Sequence, residues 1–352
     1  MKMKRHSLTK FVLLLTLIVV FFVLNLLLGT VRIPLDDVLR ILVGTGNPEV
    51  STENWTIWSN IIWSSRVPQA LTATVAGAGL AVSGLQMQTV FRNPLAGPSV
   101  LGISNGASLG VAFVVLLSGS LGGVALSKLG YVGDVAISVA AIVGALAVMS
   151  LILFVSQKVK GNVTLLIIGM MIGYLVNAVV GVLKFFSAEE DIRAYVVWGL
   201  GSFARVSGDQ MLLFVCIMVV LLPLSMLMAK PMNLLLMGDE YAMNLGLNIR
   251  RARMIVIACS GILVAVVTAY CGPVMFIGMA VPHLCRALFR TSEHRLLMPG
   301  TALTGAALAL ICNLIARMPG FEGALPINSV TALVGAPVIA YVLFKRNSRF
   351  SE

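Results

Sequence analysis

Charge is scarce in this chain. Asp, Glu, Lys and Arg make up 11% of 352 residues, against 59% hydrophobic, too little polar surface for a soluble domain of this size. Acids are scarcer than bases, 14 against 25, and none falls inside any of ten long apolar runs, nor does a Lys or Arg fall in mid-run. A charge at the bilayer centre costs about 2.5–3.5 kcal/mol on insertion scales and is normally kept for ion or proton coupling. Its absence argues against ion-driven transport, although carbonyl sites for sodium stay open. There are three histidines, His6, His283 and His294, with none paired at metal-ligand spacing and no H-E-x-x-H. His283 follows Pro282 near the end of an apolar run, where an interfacial or backbone-bonded role suits it better than a ligand role. The five cysteines lie in or at the ends of apolar runs without a C-x-x-C spacing, which reads as packing. No G-x-x-x-x-G-K-[ST] loop occurs, so the chain is not expected to hydrolyse nucleotide. No paired carboxylates or nucleophile–base pair suggest an intramembrane enzyme, and no cofactor is expected.

What is present is apolar length. A span needs about 20 mainly apolar residues. The candidates are Phe11–Leu28, Gln69–Val90, a weaker Gly97–Leu117, Val135–Val155, Val163–Leu183, Met211–Met228, Met254–Tyr270, a weaker Val274–Phe289, Leu296–Ala316 and Ile327–Phe344. The first run is longer than the roughly 7–15 residues of a signal h-region and no A-x-A site follows, so it reads as an uncleaved helix. With the N-terminus inside and ten crossings, 17 of the 25 basic residues fall inside and 10 of the 14 acids outside. Both termini are then expected in the cytoplasm, and the net charge of +11 follows from topology without invoking nucleic acid.

The longest outer loop, Gly29–Ser65, predicts a short surface helix with Pro34 at N1 and Leu35, Val38, Leu39 and Leu42 on one face. Trp55, Trp58 and Trp63 follow and suit a headgroup belt. Small residues recur every fourth position at Ala73, Gly77, Ala81 and at Ala136, Ala140, Gly144, predicting close helix packing. Five runs precede the segment Ser187–Asp209 and five follow, so the halves (residues 11–186 and 209–344 of one permease domain) would be inverted repeats. In each half the second run ends in a Gly/Pro break, Asn93–Pro98 in the first and Gly272, Pro273 to Gly278 and Pro282 in the second. Paired breaks fit a transport pathway, and equally ordinary turns between helices.

Residues 230–253 interrupt the apolar pattern. Gly238 to Leu247 predicts a helix of roughly seven residues, below the ~12–15 needed for marginal stability alone. Asp239 is expected to N-cap it, Glu240 to favour its positive end, and Gly246 to take the left-handed C′ position. Such a helix must be held either by the rest of its own chain or by a docked partner, and a partner is the expectation.

The motifs then become specific. Arg66-Val67-Pro68, Ser83-Gly84-Leu85-Gln86-Met87-Gln88 into Phe91-Arg92-Asn93-Pro94-Leu95-Ala96, and Gly102-Ile103-Ser104-Asn105-Gly106 resemble the iron-chelate uptake permeases. So do Gly238-Asp239-Glu240…Ala242…Leu245-Gly246-Leu247, Phe276-Ile277-Gly278…Pro282-His283…Arg286 and Leu325-Pro326-Ile327…Val334-Gly335-Ala336-Pro337. These are membrane subunits of type II ATP-binding-cassette importers. The resemblance implies ten helices, a homodimer with the pathway on its axis, two cytoplasmic ATPases that hydrolyse the ATP, an outer substrate-binding protein, and a metal chelate as cargo. A ferric siderophore comes first, with cobalamin and haem as alternatives. It implies that Gly238, Asp239, Glu240, Ala242, Leu245 and Gly246 dock the ATPase, with Ala242 small because a groove wall sits on it. Arg66 and Arg317 would meet acids of the binding protein, and the sequence departs from the family at Gln69, where a second arginine is common. Asn93 would be an inner gate residue with Asn162 facing it, and Gln88, Pro94, Gly272, Pro273 and Pro282 would line the pathway. Met87, Met170, Met171, Met275 and Met279 would make that pathway slippery.

Overall fold

The computed structural model describes residues 2–29, 31–46, 50–120, 130–159, 161–206, 208–318 and 324–347. Among them the fold is helical and contains no strand. The chain runs through α1 (Lys2–Leu27), α2 (Leu35–Val43), α3 (Thr52–Ile61), α4 (Val67–Phe91) and α5 (Ile103–Ser120). It continues through α6 (Tyr131–Lys158), α7 (Asn162–Phe185), α8 (Glu189–Gly199), α9 (Gly208–Met226) and α10 (Ala229–Leu236). The last five are α11 (Asp239–Asn244), α12 (Ile249–Cys271), α13 (Ile277–Phe289), α14 (His294–Ala316) and α15 (Ile327–Asn347).

Each of the ten apolar runs contains a helix, although those from Gly97 and Val274 begin in irregular backbone before α5 and α13. Among the described residues six helices are long and apolar enough to cross a membrane: α1, the continuous α3–α4 rod, α6, α7, α12 and α14. The pair α9 and α10 passes the same test together, bent by 43° at its break. Helices α5, α13 and α15 contribute shorter apolar stretches.

Helix α4 is the shaft of the bundle. From Pro68 to Phe91 nearly every side chain is buried, with α14, α12, α13 and α9 packed around it. Small residues make this possible. A methyl group on Gly77 would lie 2.4 Å from the Gly305 carbonyl oxygen, and one on Gly84 would lie 1.7 Å from that of Gly278. The backbones of α14 and α13 therefore rest directly on α4, without side chains between them. Helices α5 and α6 meet in the same way, with Gly110 against Ala140 and Gly106 against Gly144. The predicted small-residue stripes are packing surfaces. Where α4 crosses α12, Ser83 and Ser260 bond reciprocally, each hydroxyl reaching the other's carbonyl at 3.1 and 3.2 Å. Since Gly79 faces Leu263 and Val267 further along, the two helices are antiparallel.

The amphipathic helix of the long loop forms, but with a different face. Pro34 is its N-cap rather than N1, and Val38 and Ile41 turn inward with Leu26, Ile33 and Ile62 while Leu35 and Leu39 stay exposed. Helix α8 likewise buries Tyr195 and Trp198.

Candidate functional site

Opposite ends of α4 carry the residues singled out from sequence. At the C-terminal end the chain leaves α4 through Arg92, a non-glycine residue in the left-handed region at φ 48°. Such a backbone costs free energy unless its surroundings hold it. The guanidinium does so, donating to the Leu235 carbonyl at 2.9 Å and to Asp239 Oδ1 at 2.5 Å. The other oxygen of Asp239 accepts from Arg253 Nη2 at 2.7 Å.

This corrects the expected N-cap. Gly238, at φ 112°, precedes the helix, Asp239 is its first residue, and no side chain caps it. An N-cap carboxylate faces its own helix, whereas this one is occupied by two cations from α4 and α12. The opposite terminus is as expected. Gly246 is left-handed at φ 81°, and its N–H donates to Met243 O at 2.8 Å while that of Leu247 donates to Ala242 O at 3.0 Å. That pair of bonds is a Schellman motif.

Ala242 is also corrected. It is fully buried within this chain, so its small size answers to intramolecular packing and not to a partner's groove wall. The surface is made by its neighbours: Met237, Tyr241, Met243 and Leu245 are 60%, 51%, 55% and 54% exposed, beside Glu240. Four large apolar side chains around a six-residue helix, outside every apolar run, form a patch of the kind that marks a protein contact.

Beyond Arg92 the chain makes an Asx turn, Leu95 N–H donating to Asn93 Oδ1 at 2.9 Å. Pro94 accepts from His283 Nε2 at 2.8 Å, the backbone-bonded role expected for that histidine. Gln88 is buried and brackets the same helices, donating to Met279 O at 3.1 Å and accepting from Arg286 Nη1 at 2.6 Å. The Asn93–Pro98 break is thus clamped to α13, the helix containing Pro282. Asn162 begins α7 after Gly161; its side chain lies outside the described residues. A cavity of about 1200 Å³ opens between Arg92, Gln157, Gly161, Asp239 and Arg250.

The second break lies at the other end of α12. Gly272, at φ 74°, turns the chain, and Phe276 enters α13 at φ 65°. No regular structure serves the backbone between them. Asn328 does: its Nδ2 donates to Pro273 O at 2.6 Å and its Oδ1 accepts from Met275 N at 3.0 Å. This residue escaped the sequence reading, whose only signal was its place two residues after Pro326. The two breaks approach each other at α13, where Pro94 accepts from His283 and a methyl group on Gly97 would lie 2.7 Å from Met279 Cγ.

At the N-terminal end of α4 the arginines behave differently. Arg66, expected to face a soluble partner, is only 1% exposed. It ends a π-helical turn, residues Ile62–Arg66, and donates to the carbonyls of Leu26, Leu27 and Val31, the ragged end of α1. Arg317 is partly buried beside it, both guanidinium groups converging on Gly29. Burial, with the Arg66 charge alongside, holds Arg317 down to about 10. Its Nη1 is buried without a hydrogen-bond partner, and no carboxylate among the described residues pairs with either arginine. Gln69 is buried as well, donating to Asn313, which donates to Asn25. The departure at Gln69 is therefore an internal bond between α4, α14 and α1. Arg205 lies 3.9 Å from Asp134.

A helical bundle with interrupted helices and an unpartnered apolar patch at one end is the architecture of a multi-pass transport subunit. The comparisons refine that class. A profile of the FecCD transport family matches residues 17–345, and the chain belongs to that family. The hemin transport system permease protein of Yersinia pestis is 36% identical over 306 residues, 87% of this chain and 88% of its own. The vitamin B12 import system permease protein of Escherichia coli is 36% identical over 284 residues, 81% and 83% of the two chains. A solved structure of a metal-chelate type ABC transporter, in an inward-facing conformation, superposes with a TM-score of 0.79 at 27% identity, covering 96% of this chain and 99% of that one. The motif resemblance read from the sequence holds.

Proposed function

We propose that this chain is the permease subunit of an ATP-driven importer carrying a metal chelate inward across the cytoplasmic membrane by alternating access. In this reading it crosses ten times as two inverted halves, with both termini and α11 in the cytoplasm. It pairs with a second copy around the pathway, and two ATPase subunits supply the energy. The observation that carries the reading is the exposed apolar patch of Met237, Tyr241, Met243 and Leu245 around a helix too short to stand alone. A groove on the ATPase would cover it. The three short apolar helices and the bent α9–α10 pair supply the crossings beyond the six long ones.

At the Arg66 end a binding protein would dock. Its acidic residues would meet the partly exposed side chain of Arg317, with Arg66 behind it as fixed positive charge. Charges at such rims steer association and fix register. Asn93, Asn162 and the segments around Pro94, Gly272, Pro273 and Pro282 would form the gate and pathway. A ferric siderophore stands first as the commonest cargo of such permeases, and the named relatives bring haem and cobalamin into the same test.

A photocrosslinker at Tyr241 tests the core of this reading. It should capture an ATP-hydrolysing protein in intact membranes, and uptake of one chelate among ferric siderophore, haemin and cobalamin should follow ATP and survive a collapsed ion gradient. Capture of no nucleotide-hydrolysing partner would sink the proposal.

A further inference from the structure

We propose that Asp239 is a positioning residue: a strut that transmits displacement of α11 to the loop holding Asn93. The inference rests on the importer reading above and gives the docking helix a mechanical connection. Its two carboxylate oxygens take separate partners, Arg92 at the end of α4 and Arg253 in α12. Arg92 is the last residue before Asn93, and its left-handed backbone is pinned by its own side chain. Both anchors of that side chain, Leu235 O and Asp239, belong to the segment leading into and beginning α11.

A shift of α11 therefore pulls on the one residue whose backbone sets the direction of the Asn93 turn. The Asx turn stiffens that loop and His283 fastens its next residue to α13, so the pull is delivered to a defined lever. The ion pairs are about two-fifths exposed at the Arg92–Asp239 contact, so water can replace them during a stroke at little cost. Coupling needs an element with two arrangements that both sites bias. A strained left-handed residue, with its N–H on Thr89 O and its guanidinium on Leu235 O and Asp239, supplies one.

The test uses the full chain with its ATPase in proteoliposomes. Leu95→Cys, on an exposed position of the loop, reports accessibility to an impermeant maleimide in a Cys216→Ser, Cys259→Ser background. ATP should change the labelling rate of the parent about tenfold, within the range of ordinary allosteric coupling. Arg92→Gln should reduce that response to about twofold while ATP hydrolysis continues, Asp239→Asn should reduce the response as far, Asp239→Glu should retain it, and the double variant should be no worse than either single one. A parent-like response in Arg92→Gln, or single effects that multiply in the double variant, overturns the strut. So does loss of ATPase association in Arg92→Gln, because the contact would then serve assembly. If the parent itself captures no ATPase, the importer reading fails, a result distinguishable from failure of the strut alone.

Discussion

The two ends of α4 solve the same problem, a cationic arginine beside a helix terminus, in opposite ways. Arg66 is sunk into the protein and bonded to the carbonyls of Leu26 and Leu27 at the end of α1 and of Val31 beyond it. Arg92 lies at the surface and is bonded to a carboxylate carried by another segment. The first arrangement cannot be exchanged for water without stranding buried groups, and the second can. The first suits a rigid anchor, and the second suits the proposed strut.

The shaft common to both ends is the first place to break this contrast. Gly84→Val should leave no monodisperse protein on size-exclusion chromatography, since even a methyl group there meets the Gly278 carbonyl at 1.7 Å. Recovery of folded protein would show that α13 can stand away from α4. Arg66→Ala should cost on the order of 3 kcal/mol by leaving three carbonyls unserved, seen as a lowered melting temperature in detergent. Arg92→Gln should move that temperature far less, and equal shifts would erase the distinction.

The smallest effect concerns Arg317. Because its folded pKa of about 10 lies below the ordinary guanidinium value, the folded chain binds fewer protons than the unfolded one between the two, so stability rises with pH there. The penalty for burying the charged form is complete below the folded value. The melting advantage of Arg317→Gln over the parent should therefore shrink between about pH 9 and pH 11. A constant advantage would mean that the guanidinium is already neutralised by a partner.

Much of the architecture was legible because apolar length and small-residue spacing are local signals. All ten runs contain a helix, and Gly77, Ala140 and Gly144 mark true helix crossings. The left-handed Gly246 was legible for the same reason. What escaped the sequence were partners far away along the chain. Asp239 looked like an N-cap because its nearest neighbours suggest one; Arg92, which claims it, is 147 positions distant. Gln69 looked like a missing charge until Asn313, 244 positions away, proved to be its partner. Ala242 and Arg66 were given to other proteins because burial inside the same chain leaves no periodic trace.

Helix α4 is the most enclosed of the long helices and belongs to the least hydropathic of the long apolar rods. Its threonines, serines, glutamines and glycines suit a protein interior, and lipid rewards them poorly. During synthesis it leaves the ribosome long before α12 and α14, the helices that wrap it. A newborn chain must therefore shelter this segment at the insertion machinery until its later neighbours arrive, so maturation of the subunit is timed by its second half.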